Sequence, residues 1–558
     1  MKRLAVSLDA RMNLKLIPRR SFHLMSLIQV LSYSAVLMLS SQSSTGIEAS
    51  ADVQTCNVRQ VAPGRIVCVC NTTTVCDELK FEWPEQTGSL LHVQSTRAGK
   101  RFETARVDAQ LNDVSNSRPA NKLLIDLSDE KQPILGWGGA FTDAALVNID
   151  SLSSEVAEKL LQSYFGSNGL RYNFVRVPIA GTDFSTRAYS YDDTDLKPDY
   201  DLTHWTLAHE DITLKIPYLK RAIRIAADAD LEPIKLFASS WSPPKWMKTN
   251  KSFVRGHLLK DAYEVYANYL LKFFLAYKEH GLNFWGATVQ NEPFAAYLPI
   301  YFFNSLQMNS SEVIDFVGNH LGPKLEQNNF NKENFKLMVG DDSLGFVNSN
   351  VKTIMKDPKV QRHVSGLAFH WYTSGYMFPY SYLSNLVDSI KDKIEFTLMT
   401  EACTGSLGRH RGVSLGSWSR GYSYASDITQ DLLHSANGWI DWNVALDTAG
   451  GPNWAKNVVD SPIVVDAKKN EFYLQPMYYA LAHFTRFFTP GSIRVRTELK
   501  SKKLEAVAVN KKDTGHLVIS VISKASKNQK INVQIKGSNH TLTVDIEPDS
   551  FNTLVLKL

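Results

Sequence analysis

Two glutamates stand where chemistry could be done. Glu292 ends the run Phe284-Trp285-Gly286-Ala287-Thr288-Val289-Gln290-Asn291-Glu292-Pro293, which is apolar and strand-like until it meets an amide, a carboxyl and a proline. Proline cannot donate to a strand ladder and biases the residue before it away from helix, so Glu292 falls where a strand stops. Glu401 repeats the arrangement 109 residues on, closing Ile394-Glu395-Phe396-Thr397-Leu398-Met399-Thr400-Glu401. A carboxyl at the mouth of a buried strand is costly unless something uses it. Two of them point to a carboxylate pair, the apparatus of glycoside hydrolysis.

Such a pair needs a scaffold that brings distant strand ends together. From about residue 130, short apolar runs alternate with amphipathic ones. The runs predict strands over 134–140, 172–178, 233–239, 284–291, 335–340, 366–372, 395–401 and 439–445. Helical periodicity predicts helices over 154–165, 214–227, 263–280, 312–325, 382–390, 424–436 and 475–488, with the weakest signal near 351–355. Eight strand–helix units over this length fit a closed (β/α)8 TIM barrel. The rival is a doubly wound open sheet. It would want a phosphate loop after its first strand, but Gly136-Trp137-Gly138-Gly139 lacks the GxGxxG order and leads into Phe141-Thr142-Asp143, read here as no helix start. Before the barrel, residues 56–125 alternate as short antiparallel strands, and after about 490 strand texture returns. A β-sandwich built from both chain ends follows.

In a parallel barrel the reactive groups gather at the carboxyl ends of the strands. Those ends carry Arg176 and Asp183, Ser239-Ser240-Trp241, Asn291-Glu292, His370-Trp371-Tyr372, Glu401, and Asp441-Trp442-Asn443. Each residue alone has a plainer reading: a salt-bridged acid, a structural arginine, a core histidine, packing tryptophans. Cys403 reads as a buried thiol, with no activating partner in sequence. Recurrence at successive strand ends is what favours a site.

The totals exclude some classes. The chain has 558 residues, 44% hydrophobic and 21% charged, with a formal net charge of +5. Residues 1–50 hold six Lys/Arg against two acids, so most of that charge lies in the leader and no basic block argues for nucleic acid. The leader pairs a basic region ending at Arg19-Arg20 with an apolar stretch over 24–39 and small residues after it, as a secretory signal does, with an uncleaved anchor as the alternative. Cys56, Cys68, Cys70 and Cys76 cluster directly behind it and read as two disulfides, three connectivities being possible. Sequons at Asn71, Asn250, Asn309 and Asn539 are candidate glycan sites. Nothing in the sequence asks for a cofactor or a catalytic metal.

Ten ordered motifs span nearly the whole chain beyond the leader: CVCN, GWGGAFTDAA (136–145), RVPIAGTDFS (176–185), SSWSPPKWMKTN (239–250), NEP (291–293), HWY (370–372), TEACTGS (400–406), LGSW (415–418), GWIDWN (438–443) and GGPNW (450–454). Together they resemble the glucosylceramidases of glycoside hydrolase family 30. The resemblance implies Glu292 as general acid/base and Glu401 as nucleophile of a retaining β-glucosidase acting on glucosylceramide. It implies that Asn291 contacts the sugar's 2-hydroxyl, that Asp183, Trp241, Trp442 and Asn457 hold the glucose, and that Arg176, His370 and Tyr372 surround Glu401. It pairs Cys56 with Cys68 and Cys70 with Cys76 and matches Asn71 to a glycan position. It further implies a lysosomal enzyme, peripheral on membranes, helped by anionic lipid and a saposin-type activator. The expected organisation is a signal over 1–50, a small disulfide-containing antiparallel sheet from 51–82 with 444–475, a sandwich from 83–129 with 492–558, and a barrel from 130–443 with 476–491. The loop after Pro293, Phe294-Ala295-Ala296-Tyr297-Leu298, departs from the family pattern. Family relatives acting on β-glucans or xylans, and a catalytically inactive glycolipid-binding protein, are the alternatives. Close carboxylates cannot both ionise cheaply, which predicts a bell-shaped pH profile with its optimum below neutrality.

Overall fold

A computed structural model describes residues 56–108, 111–113, 121–406 and 411–558; the expected signal lies outside the described residues. Eight parallel strands close into a barrel. They are β1 (Gly136–Ala140), β2 (Phe174–Ile179), β3 (Lys235–Ser240), β4 (Phe284–Thr288), β5 (Lys336–Ser343), β6 (Val364–His370), β7 (Phe396–Glu401) and β8 (Gly438–Asn443). The rival open sheet is thereby set aside. The barrel floor is a layer of Phe174, Phe237, Met338, Ala368, Phe396, Leu398 and Ile440. Such strands are buried on both faces, which is why they read as near-continuous apolar runs.

The outer helices follow the amphipathic pattern. Helix Ser154–Phe165 buries Val156, Leu160, Leu161 and Tyr164 on one face. Two expected helices contain wide turns, at Asp211–Lys215 and Phe316–Leu321. Each lies just before a proline at a helix start, Pro217 in Ile216–Asp228 and Pro323 in Gly322–Gln327. Proline offers no N–H and its ring crowds the carbonyl four residues back, so a widened turn relieves the clash. One reading is corrected. Thr142-Asp143 does start a helix, Asp143–Asp150: the Thr142 side chain accepts from the Ala145 N–H, and Asp143 lies in the first turn. The cap signal was there; an N-cap threonine followed by an acid is a helix start. The weak signal near 351–355 belongs to a full helix, Leu344–Ile354.

Both chain ends supply a ten-stranded set that includes Ser89–Thr96, Asn121–Pro133 and the six C-terminal strands from Ile493–Leu499 to Ser550–Lys557. Alternation divides its side chains. Leu517, Ile519 and Val521 enter the sandwich core, while Val518 and Ile522 join the barrel's core. A five-stranded sheet joins Val58–Ala62 and Arg65–Cys70 to Glu471–Leu474, Ile463–Asp466 and Leu446–Asp447. The disulfides pair Cys56 with Cys68 and Cys70 with Cys76. Asn250, Asn309 and Asn539 are exposed; Asn71 is half-buried, its Oδ1 accepting from Thr73 and Thr74 N–H groups at 2.9 Å.

Candidate active site

Glu401 is the last residue of β7, and a register shift in β6 sets His370 opposite it. Its Oε2 meets the Arg176 guanidinium in an ion pair, and its Oε1 accepts from the Tyr372 hydroxyl at 2.7 Å. Glu292 lies just past β4 with φ +45°, a left-handed conformation that few non-glycine residues adopt. Its N–H donates to the Asp341 carbonyl at 2.8 Å, which anchors the turn. The Glu292 carboxyl takes the Tyr301 hydroxyl on Oε2 and His370 Nδ1 on Oε1 at 3.0 Å. Donor atoms of Glu292, His370 and Glu401 all lie within 4.8 Å of one another. Both glutamates are buried, at 7% and 6% exposed.

Arg176 projects from β2, fully buried, and ties the strand ends together. It donates to Asn291 Oδ1 at 2.8 Å and Asp341 Oδ2 at 2.9 Å, besides Glu401. Its guanidinium lies 4.9 Å from the Trp241 ring centre and 5.4 Å from that of Trp442. Those two indoles stack at 5.1 Å and 19°, forming an apolar wall with Phe184 and Cys403. Asp183 receives the Asn457 amide at 2.8 Å. The structure thus brings together Arg176, Asp183, Trp241, Asn291, Glu292, His370, Tyr372, Glu401, Trp442 and Asn457.

His370 has a ring nitrogen within 4.8 Å of both glutamates, and its ring hydrogen-bonds Glu292 and Asp341. Asp341 itself was missed. It is fully buried at the end of β5, also in a left-handed conformation (φ +51°). Besides Arg176 it accepts from Ser239 and Thr288 at 2.6 Å, Thr400 at 2.7 Å, and faces His370 Nε2 at 3.1 Å. The signal was legible: Gly340-Asp341-Asp342 puts two acids at the end of the fifth strand, which the constellation left out. Tyr301, in the irregular loop after β4, carried no signal of its kind.

Charge placement follows from these contacts. Burial raises Asp341, but Arg176, His370 and the hydroxyls outweigh it and hold the carboxyl well below the usual range. Burial lowers His370, yet Glu401, Asp341 and Glu292 push it up to about 10, so it is an imidazolium. Burial raises Glu401, opposed by His370 and Arg176. Asp183 rises to about 7 through burial and the nearby glutamates, against the Asn457 hydrogen bond. Asp342 rises to about 8 through burial and Glu292, while its Oδ2 caps the Phe294 and Ala295 N–H groups at 2.8 Å. The Cys403 thiol is raised by burial, so it stays protonated; it lies 3.3 Å from the Tyr372 hydroxyl. Such buried pairs of carboxyls and cations are where acid–base or nucleophilic chemistry is set.

The sequence pattern of the glycosyl hydrolase family 30 TIM-barrel domain matches residues 134–488. A putative glucosylceramidase 3 of Caenorhabditis elegans is 38% identical, over 88% of this chain and 92% of its own. The lysosomal acid glucosylceramidase of Mus musculus is 37% identical, over 86% of this chain and 91% of its own. Among solved structures, SrfJ from Salmonella typhimurium superposes with a TM-score of 0.75 at 24% identity, covering 84% of this chain and 100% of that one, which supports the fold.

Proposed function

The chain belongs to glycosyl hydrolase family 30, and from that premise we propose that it is a retaining β-glucosidase that hydrolyses glucosylceramide to glucose and ceramide. The observation that carries the mechanism is the closeness of Glu292 and Glu401: one carboxyl oxygen of each lies within 4.8 Å of the other. Retaining enzymes hold their carboxyls roughly 5–5.5 Å apart, whereas inverting ones need about 6.5–9.5 Å to admit a water.

The contacts and the charge balance support a pair that shares one proton. Both glutamates accept on both oxygens, Glu401 from the Arg176 guanidinium and the Tyr372 hydroxyl and Glu292 from His370 and the Tyr301 hydroxyl, and the family resemblance gives the carboxylate role to Glu401. Two cations, Arg176 and His370, face three carboxyls, Asp341, Glu401 and Glu292. A third buried negative charge would go uncompensated, so the pair retains one proton. In the reactive form Glu292 carries it. Glu401 attacks the anomeric carbon as the bond to the ceramide oxygen breaks, and the Glu292 proton passes to that oxygen. Water then gives a proton to Glu292 and attacks the same carbon, releasing Glu401. Asn291, with its Oδ1 held by Arg176, meets the 2-hydroxyl; Asp183, Asn457, Trp241 and Trp442 seat the glucose.

The name of the mouse relative, a lysosomal acid glucosylceramidase, supports a lysosomal setting. Glycans at the four sequons and activation by anionic lipid and a saposin-type protein are part of the same proposal and rest on the family resemblance alone. Among the described residues no helix is long and apolar enough to cross a membrane.

A mechanism-based glucoside epoxide tests the reading. It should label Glu401 alone by peptide mapping, and Glu401→Gln should abolish both labelling and release of ceramide. Label on another residue would overturn the roles. Faster turnover of β-glucan or xylan than of glucosylceramide would overturn the substrate, and an unlabelled, inactive wild type would favour a lipid-binding protein.

A further inference from the structure

A second cluster of ligating groups lies in the loop that follows β2, apart from the carboxylate pair. Donor atoms of Asp192, Asp199 and His204 lie within 4.8 Å of one another. Asp192 is 1% exposed, and its partners leave it unsatisfied. Its Oδ2 receives only the Trp246 indole N–H at 3.2 Å, and its Oδ1, buried from solvent, has no hydrogen-bond partner among the described residues. A buried carboxylate oxygen without a donor is costly, and native structures fill such positions with a proton donor, a water or an ion.

We propose that Asp192, Asp199 and His204 form a divalent-cation site suited to Zn2+ or Mn2+. Two carboxylates with one imidazole fit these ions better than Ca2+ or Mg2+, which take oxygen ligands. Asp199 is nearly buried and now meets His204 Nδ1 at 2.9 Å through Oδ2, the same oxygen that accepts the His204 backbone N–H at 2.8 Å. The His204 side chain is 72% exposed, so it can turn to admit the ion and leave its remaining positions to water. The site has a structural consequence. Asp192 is tied through Trp246 to the segment after β3, and its loop also carries Asp183. A cation here braces the loop after β2, and the Asp192–Trp246 contact carries that bracing to the segment after β3. The spacings of seven and five residues match no metal motif, so nothing in the sequence announces the site.

Full-length protein stripped with chelator and titrated with ZnCl2, then MnCl2, at pH 7 by calorimetry tests the proposal, with thermal unfolding alongside. Wild type should bind one ion and unfold at a higher temperature with it. Asp192→Asn should weaken binding at least tenfold and lose the thermal shift. Because His204 is largely exposed, His204→Gln leaves folding intact and should do the same, with hydrolysis of an aryl glucoside unchanged in the absence of metal. No binding by wild type overturns the proposal. So does binding that survives both substitutions, including binding that inhibits hydrolysis and so places the ion at Glu292, His370 and Glu401.

Discussion

Replacing Asp341 by Asn probes the charge arrangement without touching either glutamate. The amide matches the carboxyl in size, but one of its ends donates instead of accepting. Oδ2 receives Arg176, Ser239 and Thr288, while Oδ1 faces Thr400 and His370. An NH2 turned toward Arg176 would strand a buried guanidinium donor, at a cost of roughly 3–5 kcal/mol. The amide therefore turns its oxygen to Arg176 and its nitrogen to Thr400 and His370. Thr400 can accept; His370 can do so only as the neutral ring. The imidazolium beside Glu292 is thus lost, and with it a charge-assisted hydrogen bond worth about 2–3 kcal/mol, or roughly 30- to 150-fold in kcat. KM changes little, because Asp341 does not meet the sugar. Rates should be normalised to active sites counted with the covalent inhibitor, which separates lost catalysis from lost folding. A kcat per labelled site within threefold of wild type would refute the reasoning.

Other expectations follow from the same contacts. Tyr372→Phe removes a hydrogen bond that lowers Glu401, so the acid limb of the kcat/KM profile should move to higher pH; an unmoved limb would sever Tyr372 from Glu401. Tyr301→Phe frees Glu292 Oε2, so hydrolysis of glucosides with poor leaving groups should fall about tenfold while dinitrophenyl glucoside is spared, and equal losses on both would count against an acid role. Stability should fall from pH 5 to pH 8. Burial first, with the neighbours' contributions, raises Asp77 and Asp183 to about 7 and Asp342 to about 8, so the folded chain holds more protons than the unfolded one and loses that advantage as pH rises through these values. A thermal midpoint higher at pH 8 than at pH 5 would contradict this.

The parts legible in the sequence were those governed by a single local rule. All eight barrel strands announced themselves as apolar runs because both their faces are covered, and Glu292 and Glu401 were visible as acids breaking such runs. What escaped depended on register or on irregular backbone. Strand five was expected to stop at Gly340, but pairing with β6 carries it to Ser343, which brings Asp341 into the site. Tyr301 reaches Glu292 from a loop with no period to read, and only three-dimensional closeness reveals it. The ring nitrogens of His370 point to Glu292 and Asp341, an orientation that no strand pattern encodes.

The small disulfide-bearing sheet has a consequence for how the chain is made. Its strand Arg65–Cys70 pairs with Glu471–Leu474, and the helix Pro476–Thr485 follows only after that excursion beyond β8. A nascent chain released just after Asn443 would hold every barrel strand and both glutamates, yet lack that helix and the partners of its first strands. Long-range pairing of this kind is slow and leaves apolar surface open until it completes. Synthesis must therefore run almost to the end before the barrel can be sealed. The interval falls to chaperones, and a late premature stop should yield a chain that is degraded instead of a weakly active enzyme.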